Sequence, residues 1–176
     1  MTRFGKRSPI LILAFLAASC GGSNHGHVSG AAIVRGAGFR FEAPAGWTIA
    51  HTATAAVARS DAAGTTLVSA TAFRLRRRYD PRRFGSAAKE LDRVAADLAA
   101  QAHGTLTESA TVTVDGARIR AYRLTVHPTS GAAYDERIGF VLRGTREIQL
   151  LCRAPAGSSD PAGACALLYS SFTTHS

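Results

Sequence analysis

The sequence predicts an α+β domain, in which an antiparallel β-sheet is covered by helices. Three observations predict it. Asp115-Gly116 and Arg143-Gly144-Thr145 each join two segments of alternating apolar residues, the pattern of hairpins closed by tight turns. One long segment of helical period lies between two groups of strands. Two Asp-Pro pairs, Asp80-Pro81 and Asp160-Pro161, each supply an N-cap followed by proline at the first helical position. Consecutive hairpins with a single helix between strand groups make a mixed domain rather than a parallel sheet.

In chain order, Phe39 and Phe41 fall on one face, Pro44-Ala45-Gly46 breaks the pattern, and Trp47 and Ile49 resume it, so two short strands flank a turn. The next strand is expected over Thr65–Tyr79, bounded upstream by Asp61-Ala62-Ala63-Gly64, with Leu67, Phe73, Leu75 and Tyr79 in one parity. A helix then starts at Asp80. Phe84, Ala88, Leu91, Val94, Ala95, Leu98 and Ala102 recur at three- and four-residue steps and define its buried face, and Gly104 is placed to cap its end. Thr107–Val114 and Ala117–His127 form a hairpin about Asp115-Gly116, with Tyr122, Leu124 and Val126 in phase. Tyr134–Leu142 turns at Arg143-Gly144-Thr145 and returns through Ile148, Leu150 and Cys152. The closing helix carries Cys165, Leu168 and Phe172 inward.

The N-terminal segment reads as an export signal. Arg3, Lys6 and Arg7 precede the apolar run Ile10–Ala18, which is shorter than the ~20 residues a spanning helix needs and has the length of a secretory h-region. The small residues Ala17, Ala18 and Ser19 then lead into Cys20. This pattern resembles the bacterial lipobox, whose cysteine is lipid-modified and becomes the mature N-terminus; Ala17 stands where that motif usually carries Leu. The same residues also suit an ordinary signal peptidase cutting before Cys20. An unmodified cysteine would leave an exposed thiol in an oxidising compartment, which favours lipidation. The expected organisation is a signal peptide at 1–19, a lipidated Cys20 and Gly-rich tether at 20–37, and a globular domain at 38–176. His25 and His27 lie in the tether, where solvated linker outweighs a metal pair. Neither metal nor cofactor is expected.

Three cysteines in an exported chain leave one over unless one has another task. With Cys20 lipidated, Cys152 and Cys165 remain, separated by a Pro-, Gly- and Ser-rich stretch that bends freely. A disulfide is favoured over two free thiols, and a metal site is weak because no Cys-x-x-Cys or clustered His accompanies them. Removing residues 1–19 leaves 157 of the 176, one domain's worth. The whole chain carries +9, and the removed segment holds three Lys/Arg and no acid, so the mature part is +6.

The opening "GFRFEAPAGW", the long helix after "YDPRRF", the "VDGARIRAYRLTV" hairpin and the terminal "ALLYSSF" helix together resemble PsbP-like domains, in particular small actinobacterial lipoproteins of the LpqN type. The resemblance covers roughly Gly38–Phe172, and its best individual matches are Pro44, Gly46, Trp47, Gly116 and Phe172. It implies a curved antiparallel sheet between one long helix and a C-terminal helix, an α/β/α sandwich used as a binding or accessory module. It supplies no catalytic residues. Members serve photosystem assembly, nuclear transport and cell-envelope roles, among which fold alone does not choose.

Chemistry-bearing motifs are absent from the sequence: there is no Gly-x-Ser-x-Gly elbow, no His-Glu-x-x-His helix and no phosphate loop. The six histidines are dispersed, and Asp135-Glu136, the one adjacent acidic pair, would point to opposite faces of a strand. The expectation is a non-enzymatic binding or accessory module, lipid-anchored at the extracytoplasmic face of the cell membrane. The alternatives are an envelope hydrolase whose residues converge only in space, and a purely structural interaction module. One cluster stands out. "FRLRRRYDPRRF" holds Arg74, Arg76, Arg77, Arg78, Arg82 and Arg83 against the single acid Asp80. On the expected strand Arg74, Arg76 and Arg78 share a face, and Arg82 and Arg83 follow at the helix start. A solvated sheet face accounts for most such runs; the sharper reading is a patch for anionic lipid or an acidic wall polymer. A protein partner stays unspecified. Nucleic acid is not expected, because an exported lipoprotein rarely meets it and the aromatics do not interleave with the basic residues as stacking platforms.

Overall fold

The computed structural model describes residues 30–175, and the expectations placed on Cys20, His25 and His27 lie outside them. Two antiparallel sheets form. The larger has seven strands: β3 (Thr48–His51), β4 (Ala55–Arg59), β5 (Leu67–Arg74), β6 (Gly104–Val114), β7 (Ala117–Val126), β8 (Tyr134–Arg143) and β9 (Arg146–Pro155), in the order β3-β4-β5-β9-β8-β7-β6. The smaller pairs β1 (Ala31–Gly36) with β2 (Phe39–Pro44) and β2 with β10 (Thr173–Thr174). Between β5 and β6 the long helix α1 (Phe84–Gln101) carries the chain across one face to the far edge, and α2 (Ala164–Ser171) follows β9. The chain is α+β, as its hairpin and cap signals predict.

The large sheet is the middle layer. On one face α1 buries Leu91, Ala95 and Ala99 against Tyr122, Leu124, Val126, Ile138 and Phe140. On the other, α2 and the small sheet bring Phe39, Phe41, Leu168 and Phe172 onto Ile119, Val141, Ile148 and Leu150. β7 and β8 are therefore covered on both sides. On β8 the buried residues run without a break from Ile138 to Val141, while β7 alternates except at the adjacent Ala121 and Tyr122. The Cys152–Cys165 disulfide joins β9 to α2 with Cα atoms 5.5 Å apart.

Several expectations are corrected. The tether expected at 20–37 is shorter: Ala31–Gly36 is strand β1, so the domain begins before Gly38. The glycine density there has a packing reason: Gly36 faces Phe39 across the hairpin, and a side chain at 36 would overlap the Phe39 ring. β4 and β10 were not anticipated, being alanine-rich and two residues long respectively. β5 ends at Arg74 instead of Tyr79. Beyond it the backbone is held by the β8–β9 turn, through Leu75 N–H to Thr145 O at 2.9 Å and Tyr79 N–H to Gly144 O at 2.7 Å. Phe73, expected inward, is 48% exposed, and Val94 on α1 is 37% exposed, with Ala99 buried in its stead. The left-handed residue after α1 is His103 (φ 53°), while Gly104 already belongs to β6.

Candidate functional site

Because β5, β6 and β8 run in the same direction, their C-terminal ends gather at one end of the large sheet. Three connections meet there: the segment after β5, the β6–β7 turn and the β8–β9 turn. Asp80 shapes the first. Its carboxylate accepts the Arg82 backbone N–H at 3.0 Å, and Pro81–Arg83 forms a single 3-10 turn before α1. At the second, Asp115 and Gly116 both take positive φ, 49° and 70°, the geometry of a type I′ hairpin turn. Gly144 at φ 55° closes the third.

Between these connections lies a groove of about 730 Å³, lined by Arg78, Tyr79, Phe84, Arg118, Leu142 and Arg143 together with the turn residues. Its arginines are not equivalent. Arg143 is paired to Asp115 at 3.0 Å, and the same carboxylate oxygen accepts the Thr174 N–H at 3.0 Å and hydroxyl at 2.7 Å, locking β10 to the hairpin tip. Arg118 lies over the Phe84 ring, 4.6 Å from its centre. Among the described residues neither Arg78 nor Arg118 has an ion pair. Burial pushes the Tyr79 hydroxyl above its ordinary pKa, against the opposing charge of Arg118 and with a smaller push from Asp80.

The arginine run meets this site only in part. Arg74 is on β5, directly opposite Arg146 of β9, which is in turn opposite Arg143 of β8. Arg76 and Arg78 follow the strand, so the shared strand face expected of Arg74, Arg76 and Arg78 does not form. Of the expected set only Arg78 lines the groove; Arg82 and Arg83 are exposed on the 3-10 turn outside it. Arg118 and Arg143 were missed. Both sit beside the tight turns that the sequence does announce, and strand direction places those turns together.

Two other polar clusters are closed on themselves. At the α1–sheet interface one Asp92 oxygen accepts from Arg120 Nη2 (2.7 Å) and Nε (3.0 Å) and from the Tyr122 hydroxyl (2.8 Å). Burial alone would raise the Asp92 carboxyl, but these hydrogen bonds outweigh it and hold its pKa below the ordinary value. Burial and the Asp92 hydrogen bond push Tyr122 upward. Near the disulfide, a smaller cavity of about 160 Å³ is rimmed by Trp47, Asp135, Glu136 and Arg153. There Glu136 pairs with Arg153 at 2.8 Å, and Asp135 takes Thr125 at 2.8 Å and the Gly157 N–H at 2.9 Å. Among the described residues no three His, Cys, Asp or Glu side chains are grouped to hold a metal, and no helix is long and apolar enough to cross a membrane.

No protein-family model matches the chain, and no curated protein matches it in sequence. Solved structures do. Cyanobacterial PsbP (CyanoP) from Synechocystis sp. PCC 6803 superposes with a TM-score of 0.58 at 15% identity, over 90% of this chain and 99% of that one. A protein from Bacteroides thetaiotaomicron VPI-5482 superposes with a TM-score of 0.56 at 13% identity, over 79% of this chain but only 46% of that one. The fold is PsbP-like. At such identities the likeness describes architecture alone.

Proposed function

We propose that this chain is an exported accessory domain that binds its ligand without converting it, held at the extracytoplasmic face of the cell membrane by lipid on Cys20, as in the LpqN-type lipoproteins its sequence resembles. The observation that carries this reading is the Cys152–Cys165 disulfide. It accounts for two of the three cysteines, so Cys20, placed directly after a basic and apolar leader, is the one left for another task. Stable disulfides belong to oxidising compartments, which agrees with the leader. The binding role is supported by a PsbP-like fold whose cationic groove has arginines without ion pairs.

Partition into detergent tests the anchor. Each buried methylene adds ~0.8 kcal/mol, and two or more acyl chains hold a protein stably on a membrane. The wild-type chain is expected in the detergent-rich phase, and Cys20→Ser is expected to move to the aqueous phase or to accumulate with its leader uncut. Wild-type protein in the aqueous phase overturns the anchor.

A further inference from the structure

We propose that the groove between the Asp80 turn and the β6–β7 and β8–β9 turns is a binding site for a phosphate ester. The guanidinium groups of Arg78 and Arg118 take the phosphate, and Tyr79, Pro81 and Leu142 carry the organic part attached to it. The inference goes beyond the accessory role and stands whether or not Cys20 carries lipid.

Charge accounting comes first. Arg143 is neutralised by Asp115, whose oxygen is also committed to Thr174. Asp80, the other acid at the groove, caps the turn that leads into α1. Arg78 and Arg118 therefore face the groove with no ion pair and no side-chain hydrogen bond among the described residues. Two cations, one from the segment after β5 and one from the start of β7, line one space whose one acid is Asp80.

The residue type then narrows the ligand. A planar guanidinium presents a fork of donors matched to two oxygens of an anion. One arginine satisfies a carboxylate in this way. A terminal phosphate carries three acceptor oxygens and close to two charges at neutral pH, so it engages two arginines from two sides at once. Arg118 is partly held in place by its contact over the Phe84 ring, and its N–H groups make no side-chain hydrogen bond among the described residues. Besides Asp80, the ion-paired Arg143 and the turn glycines, the rest of the lining is apolar or aromatic, with Tyr79, Pro81, Phe84, Ala117 and Leu142. That surface suits the carbon skeleton of an ester more than bare inorganic phosphate. The volume, about 730 Å³, lies within the ~300–1,000 Å³ of small-molecule sites.

A lipid headgroup and a soluble sugar or glycerol phosphate share this chemistry, and the test separates them. The full chain, kept in detergent, is titrated calorimetrically with glycerol 3-phosphate and with short-chain dihexanoyl phosphatidate, which carry the same phosphate with and without acyl chains. Saturable binding of either is expected, with Arg78→Gln and Arg118→Gln each weakening it by about tenfold. Arg59→Gln removes an exposed arginine at the opposite end of the large sheet, beside the start of β5, and is expected to leave binding unchanged. Binding of the phosphatidate alone assigns the site to a lipid headgroup, and equal binding of both assigns it to a soluble ester. The proposal is overturned if wild type binds neither probe, or if Arg59→Gln weakens binding as much as the groove variants do.

Discussion

At the scale of single residues, two carboxylates have opposite fates. Asp92 gains three hydrogen bonds on folding, which hold its pKa down against burial. Its favourable contribution is present above the ordinary aspartate pKa and is lost as pH falls through the lowered one. Asp92→Ala removes the acceptor of the buried Tyr122 hydroxyl and is expected to cost about 1–2 kcal/mol at neutral pH by chemical denaturation, with a smaller deficit in acid. Glu147 has no ion partner among the described residues; it lies on β9 between Phe73 and Leu142, and burial pushes its pKa up. For an acid raised on folding, stability is highest below the unfolded pKa and declines as pH rises through the folded one. Glu147→Gln is therefore expected to raise the thermal midpoint at neutral pH. The gain should vanish below the ordinary glutamate value, where both states are protonated. A constant offset at all pH values would contradict the burial argument.

At the scale of elements, local signals carried most of the architecture. The Asp-Gly turn and the period of α1 are each specified within a few residues and present in the fold, and Asp80-Pro81 opens the turn that leads into α1. Asp160-Pro161 is instead followed by a left-handed Ala162, α2 starts at Ala164, and the Asp160 carboxylate accepts the Cys165 and Ala166 N–H groups. What escaped was decided by distant partners. β1 hides in a glycine-rich stretch because Gly36 makes room for a ring that is covered by Phe172 from the other end of the chain. Gly36→Ala is expected to displace Phe39 and cost ~1–3 kcal/mol, read from the denaturation midpoint. β5 reads as continuing to Tyr79 because alternation persists past Arg74, while hydrogen bonds from Leu75 and Tyr79 to the β8–β9 turn divert the backbone. The groove was illegible for the same reason: its arginines come from the segment after β5, the start of β7 and the end of β8, far apart in sequence, and only the run that includes Arg78 is visible as a cluster. The β9–α2 staple, in contrast, was countable from three cysteines. In the chain-entropy model, closing a loop of this size stabilises by ~3 kcal/mol. The Cys152→Ser/Cys165→Ser double variant should lose about that much in chemical denaturation, and an unchanged midpoint would remove the staple from the account.

At the scale of the whole molecule, a disulfide-bonded domain of PsbP-like fold carries a cationic groove at one end of its large sheet, and the proposed export and lipidation of Cys20 would hold that domain on a membrane. The proposed anchor and the domain are independent in physics but share one cysteine count. Intact-mass and peptide mass spectrometry of the protein taken from the membrane fraction, without reduction, reads both at once. The account predicts a chain that begins at Cys20, carries a diacylglyceryl thioether on that residue and yields a linked Cys152–Cys165 peptide. A chain that keeps its leader and three alkylatable thiols, or one that begins at an unmodified Cys20, would contradict it.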